Sequence, residues 1–378
     1  MRRLVALIGA IVLVDTSLYA ALAPLLPTLE REFDLTKAQS GVLIASYAVG
    51  TFAGALPGGW AAARYGARAT VVGGLALMTV SGVWFAHADS AVGLDVARFA
   101  QGIGGALSWT AGLAWVGHAA PRERRGEALG VVIGAGIFGG QFGPVLGVAA
   151  EHAGRGVVFT AVAALGIVLA ALALTQPRPE PVHEDAASPT TLLRDRPWLA
   201  AAWLTVLPSL AFGVAETLVP LRLDEIGASA LGIGAAFLVA ALMEAVLSPV
   251  VGRVADRRGA RMIVRGGTLL AAASVALLAV PSEPLAVSVI FVFGAVGLGA
   301  LWVPSGTLVS RRAETLRVDQ GWAFAVNNLG WSGGVALGAL AGGALGQLVG
   351  DGLPYGLAAA LLLGTALLAS RLVPSHGS

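Results

Sequence analysis

Nearly all of this 378-residue chain is a succession of apolar stretches, separated by turns too short to hold a domain of their own. The stretches fall at about 4–26, 38–62, 68–87, 91–118, 126–150 and 156–175, then at about 198–221, 229–252, 261–281, 285–310, 318–347 and 354–373. At about 1.5 Å of rise per residue, each is long enough as a helix to cross a hydrocarbon core of about 30 Å. Backbone N–H and C=O groups find no water at that depth, so each run must take a form that satisfies them internally. Composition agrees. Hydrophobic residues make up 56% of the chain and charged residues 12%, too few to wet the surface of a soluble domain. Mean hydropathy is +0.80.

The two sets of six runs are copies of one another. Shifting the sequence by 193 positions without a gap places Gly59 on Gly252, Arg64 on Arg257, Gly66 on Gly259 and Arg68 on Arg261, all in a short turn between apolar runs. The same shift superposes Pro27 on Pro220, Gly73 and Gly74 on Gly266 and Gly267, and Trp109 on Trp302. Between the copies, residues 176–197 carry prolines, acids and arginines with few large apolar side chains, the composition of a solvated linker. The expected organisation is a six-helix half over residues 1–176, a linker over 177–197 and a second half over 198–378. The first run follows Met1, Arg2 and Arg3 but is too long for a signal core and contains Asp15, so it is read as the first span.

Arginines crowd into alternate turns, whereas the other turns hold only Arg31, Lys37, Arg155 and Arg222. Short cytoplasmic loops carry such an excess, which places both ends and the linker in the cytoplasm. The formal net charge of +2 therefore reports membrane orientation, not nucleic-acid binding. Cysteine is absent, which excludes disulfides and thiolate metal sites.

Gly252, Asp256, Arg257, Gly259 and Arg261 are spaced as in the signature loop of the major facilitator superfamily, and the chain resembles that family over essentially its whole length. The first copy, Gly59, Arg64, Gly66 and Arg68, has Ala63 where the aspartate belongs. The resemblance implies an all-α membrane protein of twelve transmembrane helices in two pseudo-symmetric six-helix bundles, with these loops acting at the gate. Taken physically, the glycines permit close packing and sharp turns, and the arginines meet phosphate headgroups or the carbonyl ends of helices.

Within the apolar runs, Asp15 and Arg98 stand out. An arginine at membrane depth costs about 2.5–3.5 kcal/mol on insertion scales and needs a partner or a wet cavity. Asp15 lies about 16 Å along the first helix and Arg98 about 10 Å from the far end of the fourth, matching depths in a core of about 30 Å. Asp95, three residues before Arg98 on the same face, is the competing partner. Arg98, Gln101, Gly102, Gly104 and Ala106 are similar to the family's helix-four motif, and the resemblance implies that the arginine helps to transfer protons. Burial disfavours a charged Asp15 and a neighbouring guanidinium favours it, an opposition that lets a carboxylate give up its proton when its surroundings change. Glu216 and Glu244 are further candidates for proton coupling or cation binding.

Gly130, Gly139, Gly143, Pro144 and Gly147 look like the signature of exporters in the drug:proton antiporter group, with Val148 in place of its last glycine. Glycines at four-residue spacing share a face that a second helix can approach at backbone distance, and Pro144 bends the rod. Gly334, Gly338 and Gly342 echo the pattern in the second half. Tyr19, Tyr47, Gln101, Trp109, Phe138, Gln141, Trp302, Asn327, Asn328 and Trp331 are candidate substrate-cavity residues.

The chain is therefore expected to be a monomeric, proton-coupled secondary transporter of the cell inner (plasma) membrane, embedded in lipid. It would export a small amphipathic or hydrophobic compound and need no cofactor or metal. The alternatives are an importer or facilitator of a sugar, amino acid or organic anion, and a non-transporting sensor. A fixed anion would call for more buried arginine than Arg98 alone. The sequence shows no metal-binding helix, nucleophile elbow or phosphate loop that would suggest an enzyme.

Overall fold

The computed structural model of the chain describes residues 1–121, 124–177, 189–318 and 320–372. Helices α1 (Arg2–Ala20) and α2 (Leu22–Phe33) share the first apolar run, followed by α3 (Lys37–Tyr65), α4 (Ala67–His87), α5 (Ala91–Ala119), α6 (Arg125–Ala153) and α7 (Arg155–Thr175). A 3₁₀ turn at Pro189–Arg194 leads into α8 (Arg196–Glu225), α9 (Ala230–Arg258), α10 (Ala260–Leu277), α11 (Pro284–Gly299), α12 (Trp302–Thr315), α13 (Gln320–Val349) and α14 (Gly352–Leu372). Among the described residues, eleven helical stretches are long and apolar enough to cross a membrane, α11 and α12 counting as one. Helix α5 has the length of a span, 29 residues, but Asp95, Arg98, Gln101 and several glycines dilute its apolar character, and it completes the expected twelve.

Two of the expected spans are broken in mid-course. Pro24 has no N–H to return to the carbonyl of Ala20, so α1 stops there and α2 begins at Leu22. Helix α11 ends at Gly299 and α12 starts at Trp302, with Ala300 and Leu301 between them.

Equivalent turns and helix contacts recur at the 193-residue offset. Gly66 (φ 86°) and Gly259 (φ 92°) both occupy the left-handed region that strains any residue with a Cβ, and each joins two helices through a single residue. Gly74 and Gly104 bring α4 and α5 to backbone distance, since a Cβ built on either lies 2.7 Å from the other's carbonyl oxygen. Gly267 and Gly297 do the same for α10 and α11 at 2.9 Å. Gly139, Gly143 and Gly147 of α6 pack on Leu13, Ala20 and Ala21, beside α1 and its break, while Gly334, Gly338 and Gly342 of α13 pack on Val206, Leu210 and Val214 of α8. Pro144 lies inside α6, and Gly130 stands off the packed face, exposed to open space.

The chain divides into two compact units, Met1–Thr28 with Ser46–Asp185, and Leu29–Ala45 with Ala186–Ser378. Residues 29–45 group with the second unit through Arg31, which pairs with Asp224 at 2.5 Å, Lys37, which pairs with Glu225 and Asp351 at 3.0 Å each, and Gly41, which packs on the backbone of Ala339. The end of the expected linker is also structural. Asp195 accepts a hydrogen bond from Trp198 N at 2.9 Å as the cap of α8, and Arg312 of α12 grips the same carboxylate with two nitrogens at 2.8 and 2.6 Å.

Candidate functional site

The polar site of the first unit is built where α1, α3 and α5 meet. Asp15, 2% exposed, accepts a hydrogen bond from the Tyr47 hydroxyl on Oδ1 at 2.6 Å and one from Trp109 Nε1 on Oδ2 at 2.9 Å. Both carboxylate oxygens are therefore oriented by neutral donors. Gly105 faces the same carboxyl so closely that any side chain there would run into it. Gly136 of α6 gives the Trp109 indole its room in the same way, a Cβ at 136 falling 2.7 Å from the ring.

Arg98, 1% exposed, donates from Nη1 to Leu18 O at 2.9 Å and to Gln101 Oε1 at 3.2 Å, and from Nη2 to Tyr19 O at 3.2 Å. Those carbonyls sit in the last turn of α1, just ahead of the Pro24 break, where a helix end attracts positive charge. The guanidinium also lies over the Tyr47 ring, 4.8 Å from its centroid, a cation–π contact whose strength rises when water is excluded. Tyr19 packs against Tyr47 with ring centroids 5.1 Å apart. Trp109, Asp15, Tyr47, Arg98 and Gln101 thus form one continuous chain of contacts. Gln101 Nε2 is buried and has no hydrogen-bond partner among the described residues.

The structure brings Asp15 and Arg98 into one polar cluster, in which the Tyr47 hydroxyl meets the carboxylate and the Tyr47 ring meets the guanidinium. Two carbonyls of the last turn of α1 accept from the same guanidinium.

The remaining candidates are distributed differently. In the second unit, Thr205 of α8 shares a 2.6 Å hydrogen bond with Ser305 of α12 and donates to Asn327 Oδ1 of α13 at 2.9 Å, so Asn327 ties helices together. Asn328, Trp302 and Trp331 are half-buried. Glu216 is buried in α8. Glu244 of α9 is half-buried and packs over Gly299 at the end of α11. Gln141 is buried in α6, whereas Phe138 is 57% exposed on the same helix.

Arg68 donates to Leu174 O at 3.1 Å and Gln176 O at 2.9 Å, closing the end of α7, and its equivalent Arg261 donates to Ser370 O at 3.1 Å near the end of α14. Arg64 and Arg257 are exposed, Gly59 and Gly252 half-buried, and the side chain of Asp256 lies outside the described residues.

Sequence reasoning named Tyr47 and Trp109 only as cavity aromatics and missed that they hold Asp15; the coincidence of Trp109 with Trp302 was the available signal. It also missed the Thr205–Ser305 bond and the ion pairs of Lys37, whose partners are more than 180 positions away.

Comparison with known proteins follows from this geometry. The model described as Major Facilitator Superfamily matches residues 5–317 and 205–377. Over 299 residues the chain is 28% identical to the synaptic vesicular amine transporter of Homo sapiens, covering 76% of this chain and 57% of that protein. It is 36% identical over 157 residues to the MFS-type transporter ppzB of Metarhizium rileyi, covering 40% and 32% respectively. The chain spans between 32% and 64% of the length of the first such relatives. Two solved structures share its fold: a D-xylose-proton symporter (TM-score 0.77, 16% identity, 98% of this chain and 97% of that one) and a bacterial homolog to the human lysosomal transporter Spinster (TM-score 0.75, 15% identity, 98% and 97%).

Proposed function

Because the chain belongs to the Major Facilitator Superfamily, a family of transporters and not of enzymes, we propose that it is a proton-coupled exporter of a small amphipathic or hydrophobic compound. It works by alternating access from the cell inner (plasma) membrane, as a monomer, with its arginine-rich side in the cytoplasm. The observation that supports this reading is Asp15 itself: a carboxylate at membrane depth, held by Tyr47 and Trp109 beside the fixed charge of Arg98. Acids so placed mark ion and proton pathways, because their cost in hydrocarbon is otherwise uncompensated. A change in the hydration of that site alters the balance between its protonated and ionised forms, which is what coupling requires.

Outward direction is supported by the glycine ladder of α6 on α1, which resembles the exporter signature and rests directly on the helix that carries Asp15. The similarity to vesicular amine transporters supports a cargo that bears an amine. In proteoliposomes with an imposed pH gradient, the wild-type chain is expected to move such compounds against their gradient. Asp15→Asn is expected to abolish the pH-driven component while the variant stays folded. Equal pH-driven flux in that variant would remove Asp15 from the mechanism, flux indifferent to the gradient would favour a facilitator, and no flux at all would favour a sensor.

A further inference from the structure

The second unit carries a membrane-embedded acid that the site around Asp15 does not use. The Glu244 side chain lies so close to Gly299 that a Cβ built there would be 2.5 Å from its Cγ and 3.0 Å from its Oε1. Among the described residues Glu244 has neither a hydrogen bond nor an ion pair, unlike Asp15 and every acid of the Lys37 and Asp195 clusters. A carboxylate at that depth with no partner is expensive unless something positive occupies the space in front of it.

The repeat explains how the acid comes to be there. At the 193-residue offset, Glu244 corresponds to Thr51, whose hydroxyl lies 3.1 Å from Tyr47 O on its own helix and 3.5 Å from Gly102 O of α5, and Gly299 corresponds to Ala106 of α5. Trp302 corresponds to Trp109, which holds Asp15, but the position equivalent to Asp15 is Pro208. The second half therefore carries a tryptophan at the matching position, a proline in place of Asp15 and an acid in place of Thr51 on its second helix, facing a glycine that makes room for it. Helix α11 stops at this glycine, and the carbonyl end of a helix favours positive charge.

We propose that Glu244, seated on Gly299 at the break between α11 and α12, is the anchor for the cationic head of an organic ammonium cargo, separate from the proton site. The chemistry favours an organic cation over a metal ion: one carboxylate among apolar residues cannot replace the several oxygen ligands that a hydrated metal ion requires, whereas an organic cation brings an apolar body and needs one opposing charge. This assignment rests on the transporter reading above.

Binding of ethidium and of tritiated tetraphenylphosphonium to the detergent-solubilised full chain tests it, with pH-driven efflux of a neutral hydrophobic dye from proteoliposomes measured on the same variants. Wild type is expected to bind both cations. Glu244→Gln is expected to weaken that binding at least tenfold while its melting temperature and gel-filtration profile in detergent stay those of wild type, which shows that it folds. Glu244→Asp should retain part of the affinity. Gly299→Ala keeps the acid but puts a methyl group where its side chain rests, and should weaken cation binding as well. Unchanged cation affinity in Glu244→Gln, or no binding of either cation by wild type, would overturn the proposal. Cation binding that depends on Glu244 in a chain that drives no efflux would leave the site standing and overturn the transport reading instead.

Discussion

Tyr47 serves both charges of the first unit, its hydroxyl donating to Asp15 and its ring carrying the Arg98 guanidinium. Tyr47→Phe keeps the ring and removes one hydrogen bond to a charged group, a loss of about 1.5–3 kcal/mol. With about 1.4 kcal/mol per tenfold change, pH-driven efflux by this variant is expected to fall roughly ten- to hundredfold. Initial rates equal to wild type would show that Tyr47 only fills space. Asp195 allows a prediction about pH. The hydrogen bonds from Arg312 hold its carboxyl below the usual carboxylate range. A carboxylate lowered on folding stabilises the native state above its unfolded value and loses that contribution as pH falls through the lowered one. Asp195→Asn can still cap α8 but cannot pair with Arg312. It is expected to lower the melting temperature near neutral pH and to flatten the acid-side decline; identical melting curves from neutral to acid pH would contradict this.

At the scale of helices, the glycines were legible as a pattern but not by their individual weight. The 193-residue repeat showed that Gly74 recurs as Gly267, yet only the folded chain shows that these two, with Gly104 and Gly297, each face a carbonyl across a helix contact. Gly104→Ala and Gly297→Ala force a Cβ to within 2.7 Å of neighbouring backbone, and are expected to cost several degrees of melting temperature in detergent. Gly130→Ala and Gly266→Ala meet open space and should be neutral or stabilising, by up to about 1 kcal/mol from helix propensity. Equal effects at the two kinds of position would refute the close-packing account. The helix breaks show the same limit of the sequence. Pro24 was visible in the first run, but that its freed helix end would receive Arg98 depends on the approach of α5, which a linear pattern does not contain.

At the scale of the whole molecule, the count of spans and the duplication were readable because hydrophobic length and a gapless offset are properties of the chain itself. The charge cluster that groups Leu29–Ala45 with the second unit was not, because its partners lie far away in sequence. Lys37, with its side chain 23% exposed, pairs with both Glu225 and Asp351, and Arg222 supplies a second cation to Glu225 at 3.6 Å. Lys37→Met leaves one arginine to these two acids, and the second unit is expected to lose stability, most at low ionic strength. Salt-independent melting equal to wild type would show that the cluster contributes nothing.

The proton claim has one direct measurement: the pH of a weakly buffered detergent solution of the purified chain as ethidium or tetraphenylphosphonium is added. If cation binding at Glu244 drives the proton off Asp15, the wild type releases protons in proportion to the cation bound, and Asp15→Asn binds cation with no release. Proton release that persists undiminished in Asp15→Asn, or cation binding by wild type with none, would contradict the assignment of coupling to this carboxylate.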